Sequence, residues 1–260
     1  MTAWFFALPP LAQAGVAALG TWALTAAGTL PVLVTSRAPR RLMDGLMGFA
    51  GGVMVAASCW SLLVPAMARG GIAPAALGLL LGAAVIYALD QALPHLHPEF
   101  PDEARQEGPA PARAWRRSTL LMAAITLHNF PEGLAIGVAF GGGSTTPALA
   151  LALGIGLQNI PEGLAVALPL RREGMNRWRA LWYGQLTAVV EPVAAVIGAG
   201  VVMQATWLLP YALAFAAGAM LYVVVEELIP ETQRTGNIDI ATVGFIGGFT
   251  LMMALDNAFK

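Results

Sequence analysis

Charge is the scarcest property of this 260-residue sequence: Asp, Glu, Lys and Arg together make up 11%. That leaves too little polar surface to cover a soluble body of this size, and the same figure argues against disordered, collagenous and coiled-coil chains. Lysine is almost missing, Lys260 being the sole one beside thirteen arginines. With 14 basic against 15 acidic residues there is no basic footprint of the kind nucleic-acid recognition needs, so nucleic acid is not an expected partner. The one cysteine, Cys59, excludes an internal disulfide and lies in an apolar stretch, where it reads as a small buried hydrophobe. No GxxxxGK[ST] motif is present, so ATP is not expected either. The start, MTAWFFALPP, lacks the Lys or Arg of a signal peptide, and the first apolar stretch is read as a mature helix.

What is abundant is apolar: A, V, I, L, M, F, W, Y and C make up 57%, joined by 29 glycines. A hydrocarbon core about 30 Å thick takes roughly 20 apolar residues per helix. Stretches of that length fall at 11–35, 42–67, 73–93, 118–140, 147–170, 178–203, 207–230 and 239–259. The expected architecture is therefore an all-α polytopic membrane protein of eight transmembrane helices, a single domain over residues 1–260 in contact with the lipid bilayer. Residues 94–117, with five prolines and mixed charge, read as a flexible loop. Small-residue runs at 48–52, 78–82, 214–218 and 244–248 suit close helix packing in lipid.

Basic residues mark the cytoplasmic side of a membrane protein. Arg37, Arg40 and Arg41 follow the first stretch; Arg105, Arg113, Arg116 and Arg117 the third; Arg171, Arg172, Arg177 and Arg179 the fifth; Arg234 the seventh. Only Arg69 and Lys260 lie on the other side. This asymmetry predicts both termini outside the cytoplasm of a multi-pass cell (inner) membrane protein.

Against this background several polar residues stand out. Asp90 lies in the third stretch, His128 and Glu132 in the fourth, Glu162 in the fifth, Glu191 in the sixth, Glu226 and Glu227 in the seventh. Each ionisable group at mid-membrane costs about 2.5–3.5 kcal/mol on insertion scales. Away from the span ends, no Lys or Arg shares these stretches. The balancing positive charge must be protons on the carboxylates or a bound metal cation.

A repeat offset by 30 residues bears on that choice. His128-Asn129-Phe130-Pro131-Glu132-Gly133-Leu134-Ala135 matches Gln158-Asn159-Ile160-Pro161-Glu162-Gly163-Leu164-Ala165 at six of eight positions. The first residue and the Glu of each copy are four apart and share a helix face. The proline between them removes the helical bond to the carbonyl of Leu127 or Leu157, predicting two kinked helices with freed carbonyls at the same depth. A His, two Glu, a Gln and two Asn form a nitrogen and oxygen shell suited to a first-row divalent ion, and Glu191-Pro192 repeats the carboxylate-at-a-kink device. Without thiolate, copper(I) is not expected.

These paired motifs, in the fourth and fifth of eight helices, resemble those of the ZIP family of divalent-metal transporters, particularly its prokaryotic branch. The resemblance spans nearly the whole chain. It implies a site in which His128, Glu132, Gln158 and Glu162 hold one metal, while Asn129, Asn159, Glu132, Glu162 and Glu191 are placed to hold a neighbouring second one; some relatives have Asp where this chain has Asn159. It further implies that the divalent metal is transported substrate and no catalytic cofactor. Zinc is expected first, with iron(II), manganese and cadmium also admitted by the donors. A homodimer and an elevator-like movement of the block bearing helices 4 and 5 are implied as well.

By position and by the same resemblance, Asp90, His95, His97, Glu226 and Glu227 are candidates for the exit path, and Met54, Ser58 and Asp256 for the entrance. Two rival classes remain: an intramembrane metal-dependent hydrolase, and a proton-coupled carrier of an organic solute. HExxH is absent, and a ligand pair that occurs twice fits adjacent sites along a path better than one catalytic centre.

Overall fold

The computed structural model describes residues 3–92, 95–96, 106–107, 117–233 and 236–259. After a helical turn at Ala3–Phe6, eight long helices follow: α1 (Pro10–Leu33), α2 (Arg40–Gly70), α3 (Ile72–Ala92), α4 (Arg117–Gly141), α5 (Thr145–Arg172), α6 (Arg177–Gln204), α7 (Thr206–Gln233) and α8 (Ile238–Ala258). Seven are long and apolar enough to cross a membrane by length and composition. The other, α4, has 25 residues, about 37 Å at 1.5 Å per residue, but His128, Asn129, Pro131 and Glu132 interrupt its apolar run. Large apolar side chains such as Leu80, Val225, Val243 and Ile246 point outward, where lipid would cover them. His95–Leu96 and Gln106–Glu107 form a two-residue antiparallel ladder between α3 and α4.

The helices associate as four parallel pairs, each sealed by glycine. A Cβ on Gly28 of α1 would strike the Ile160 backbone of α5; on Gly52 of α2, Phe245 of α8; on Gly82 of α3, Phe215 of α7; on Gly137 of α4, Ala195 of α6. In lipid there is no hydrophobic gain from bringing helices together, so this closeness of backbone to backbone supplies the attraction. The small-residue runs in α2, α3, α7 and α8 sit at these seams.

The pairs combine into two groups of four. Helices α1, α4, α5 and α6 pack mutually; α2 and α7 pack on each other and each takes α3 and α8 as neighbours; and the groups meet where α5 lies against α2 and α8 and where α4 lies against α7. Two helices of the second group carry wide turns, Ala57–Leu63 in α2 and Val224–Leu228 in α7. Such π-type turns break the regular ladder and are frequent at functional sites. Nothing in the apolar pattern of the sequence marks them.

Candidate metal centre

The proline motifs lie in the middle of α4 and α5, and both helices continue through Pro131 and Pro161. The glycine after each motif Glu has a definite task. A Cβ on Gly133 would collide with the backbone of Glu191 in α6, and one on Gly163 with the backbone of Thr25 in α1. The two copies thus draw in different neighbours, and four helices converge on one level.

In α6 the expected kink at Glu191-Pro192 is an interruption. The helix stops at Leu186 and restarts at Val190, placing Glu191 in a fresh first turn. Pro192 is tolerated there because the first-turn N–H groups have no helical acceptor, and the positive end of the helix dipole favours a carboxylate.

Glu132, Gln158, Asn159 and Glu191 are wholly buried, and Asn129 and Glu162 nearly so. Gln158 Nε2 donates to Glu132 Oε1 at 2.7 Å. Asn159 Nδ2 donates to Glu191 Oε1 at 2.9 Å and lies 3.4 Å from the Thr21 carbonyl. The Thr21 hydroxyl donates to Glu191 Oε2 at 2.5 Å. Glu132 lies within electrostatic reach of Glu162 and Glu191, and Glu162 within reach of His128. Among the described residues no Lys or Arg charge acts on these three carboxylates.

Three buried acceptors of this cluster receive no hydrogen bond: Glu132 Oε2, Gln158 Oε1 and Asn159 Oδ1; the Asn129 Nδ2 donor is likewise without acceptor. A buried oxygen left without a donor costs about 1–3 kcal/mol, and a cation among the three would satisfy them together. Among the described residues no three His, Cys, Asp or Glu side chains form a metal-ready group. The donor set instead mixes carboxylate, amide and imidazole, which fits a cation bound reversibly better than one locked in place.

The remaining expected residues divide by location. His128 Nε2 meets Glu227 Oε1 of α7 at 2.5 Å, so one exit candidate touches the motif directly. Asp90 is buried near the end of α3. The parallel register of α3 and α7, with Tyr87 edge-on to Tyr222, carries it to the level of Glu226 and Glu227. The His95 backbone is in the short ladder, whereas His97 lies outside the described residues. Met54 and Ser58 are buried in α2, the Ser58 hydroxyl donating to the Met54 carbonyl at 2.8 Å. Asp256 of α8 accepts from Ser61 Oγ at 3.1 Å across to the wide turn of α2.

Sequence reasoning passed over Thr21 and Ser61. Thr21 did leave a signal. Thr21, Thr25 and Thr29 recur every four residues and, with Gln13, are the buried polar side chains of the helix.

A family model described as "ZIP Zinc transporter" matches residues 101–256. The chain is 43% identical to "Zinc transporter ZIP11" of Homo sapiens, covering 94% of this chain and 96% of that protein. It is 42% identical to "Zinc transporter GufA" of Myxococcus xanthus, covering 93% and 96%. To "Zinc transporter ZIPB" of Bordetella bronchiseptica it is 41% identical, covering 94% and 81%.

Proposed function

This chain belongs to the ZIP family, and from that premise we propose that it carries divalent metal, zinc foremost, through the cluster where α4, α5, α6 and α1 meet. The observation that carries the reading is the set of buried acceptors, Glu132 Oε2, Gln158 Oε1 and Asn159 Oδ1, left without donors beside three carboxylates that no Lys or Arg among the described residues balances. His128, Glu132, Gln158 and Glu162 are the proposed ligands, with Asn129, Asn159 and Glu191 bordering them. A dication here replaces the missing positive charge and satisfies the orphaned oxygens together.

Direction and movement are parts of the same proposal. Arginines at the inner ends of the helices support a cytoplasmic face reached from the loops after α1, α3, α5 and α7, with both termini outside. The metal leaves past Glu227, Glu226 and Asp90, with His95 and His97 in the loop beyond; Met54, Ser58 and Asp256 belong to the opposite approach. The division into two helix groups supports an elevator in which α1, α4, α5 and α6 slide along α2, α3, α7 and α8. The proposal also has two copies pairing in the cell membrane. Relatives named as transporters support carriage over a hydrolytic role.

The test is uptake of radioactive zinc by liposomes containing the purified protein under an inward zinc gradient. Uptake well above that of protein-free liposomes is expected, and competing iron(II), manganese or cadmium should reduce it. Uptake equal to that of empty liposomes for all four metals would refute the proposal.

A further inference from the structure

Glu191 is set apart from the other two carboxylates by its surroundings. Both of its oxygens are occupied by neutral donors from different helices, Thr21 Oγ1 of α1 on Oε2 and Asn159 Nδ2 of α5 on Oε1. Glu132 has one oxygen held by Gln158 and the other without a partner, and among the described residues no hydrogen bond reaches the Glu162 carboxylate. The acceptors left for a cation are therefore Glu132 Oε2, Gln158 Oε1 and Asn159 Oδ1, none of them on Glu191.

From this asymmetry we infer that the centre holds a single divalent ion, and that Thr21 and Asn159 act as positioning residues that close Glu191 to a second. The inference rests on the metal-transport reading above and adds the number of ions. Charge agrees with geometry. One dication balances Glu132 and Glu162, while the Glu191 carboxylate is met by two hydrogen bonds, an arrangement able to stabilise a buried anion without a metal. A second dication beside Glu191 would have to share its oxygens with the bonds from Thr21 and Asn159 and would face an amide N–H in place of an oxygen. Asp at position 159 reverses this. Aspartate has no N–H to give and would set a carboxylate oxygen about 3 Å from Glu191 Oε1, a repulsion that a second cation relieves.

The test counts zinc per chain by equilibrium dialysis and elemental analysis of the purified protein, in a His95→Ala, His97→Ala background so that loop imidazoles contribute none. One zinc per chain is expected, rising twofold in Asn159→Asp. Thr21→Val, which keeps the side-chain shape but removes the donor, is expected to allow a second zinc at higher free concentration, and Thr21→Ser to restore exclusion. Two ions in the parent protein would overturn the inference, as would one ion in a folded Asn159→Asp. Should that variant fail to fold, cadmium-soaked crystals of the parent decide: a single anomalous peak beside Glu132 and Glu162 is expected, and a second peak bonded to Glu191 overturns it. Protein that binds no zinc at all would instead overturn the transport reading on which the inference stands.

Discussion

His128 and Glu227 belong to different helix groups, yet His128 Nε2 and Glu227 Oε1 meet at 2.5 Å. The contact joins the proline motif of α4 to the wide turn of α7 and so links the proposed binding site to the proposed exit. A metal taking His128 as a ligand must share that imidazole with Glu227 or displace it. Glu227 is then placed to receive the ion as it leaves.

Removing this partner is expected to separate binding from release. Glu227→Ala should retain zinc in dialysis but lower initial uptake rates by about 10-fold or more, the range typical when the outer partner of a metal-binding histidine is lost. Uptake rates equal to the parent's would take Glu227 off the path.

The two helix groups are also bridged at their other end. Arg69 Nη2 of α2 donates to Ser144 Oγ between α4 and α5 at 3.2 Å. If the groups slide, cross-linking them here must stop transport. In a Cys59→Ser background, Arg69→Cys with Ser144→Cys is expected to lose zinc flux when treated with a short bis-maleimide. The pair Arg40→Cys with Glu231→Cys provides the contrast. It lies within one group, where Arg40 and Glu231 are 3.5 Å apart, and should keep its flux after the same treatment. Flux that persists with positions 69 and 144 linked would contradict sliding.

Glycine seams make a prediction about stability. The Cβ of Gly137→Ala would run into the Ala195 backbone, whereas at Gly20 nothing lies within 4 Å. Overpacking of this kind costs about 1–3 kcal/mol, while Gly→Ala in an open helical position gains roughly 0.5–1 kcal/mol. Thermal unfolding in detergent should show a lower midpoint for Gly137→Ala and an equal or higher one for Gly20→Ala. Equal midpoints would mean that the α4–α6 seam is looser than its backbone contacts imply.

Much of the fold was legible because the bilayer imposes a length on every helix. The apolar stretch 178–203 becomes Arg177–Gln204, and 73–93 becomes Ile72–Ala92. What periodicity misses is a local change of backbone path that leaves composition untouched. The wide turns at Ala57–Leu63 and Val224–Leu228 are as apolar as their flanks apart from Ser58, Ser61, Glu226 and Glu227. The break before Glu191 differs, since Pro192 takes the helical bond from the Ala188 carbonyl and announces a bend there, though not that the helix stops and restarts.

The candidate site was legible for a different reason. Carboxylates without basic partners are too costly in lipid to be incidental, and the repeat put His128, Glu132, Gln158 and Glu162 in register. Thr21 escaped because a threonine in a membrane helix ordinarily bonds its own backbone, and this one also lies near the Ala18 carbonyl at 2.9 Å. Only the approach of α1 to Gly163 reveals its second partner, Glu191.

Passage of zinc through the buried cluster between α4 and α5 requires the side chains of that cluster. Initial zinc flux into liposomes, compared among the parent, His128→Ala and Glu132→Ala at matched protein content and matched thermal stability, tests it most directly. Flux is expected for the parent and none above protein-free liposomes for either variant. Variants that carry zinc at the parent's rate would contradict it.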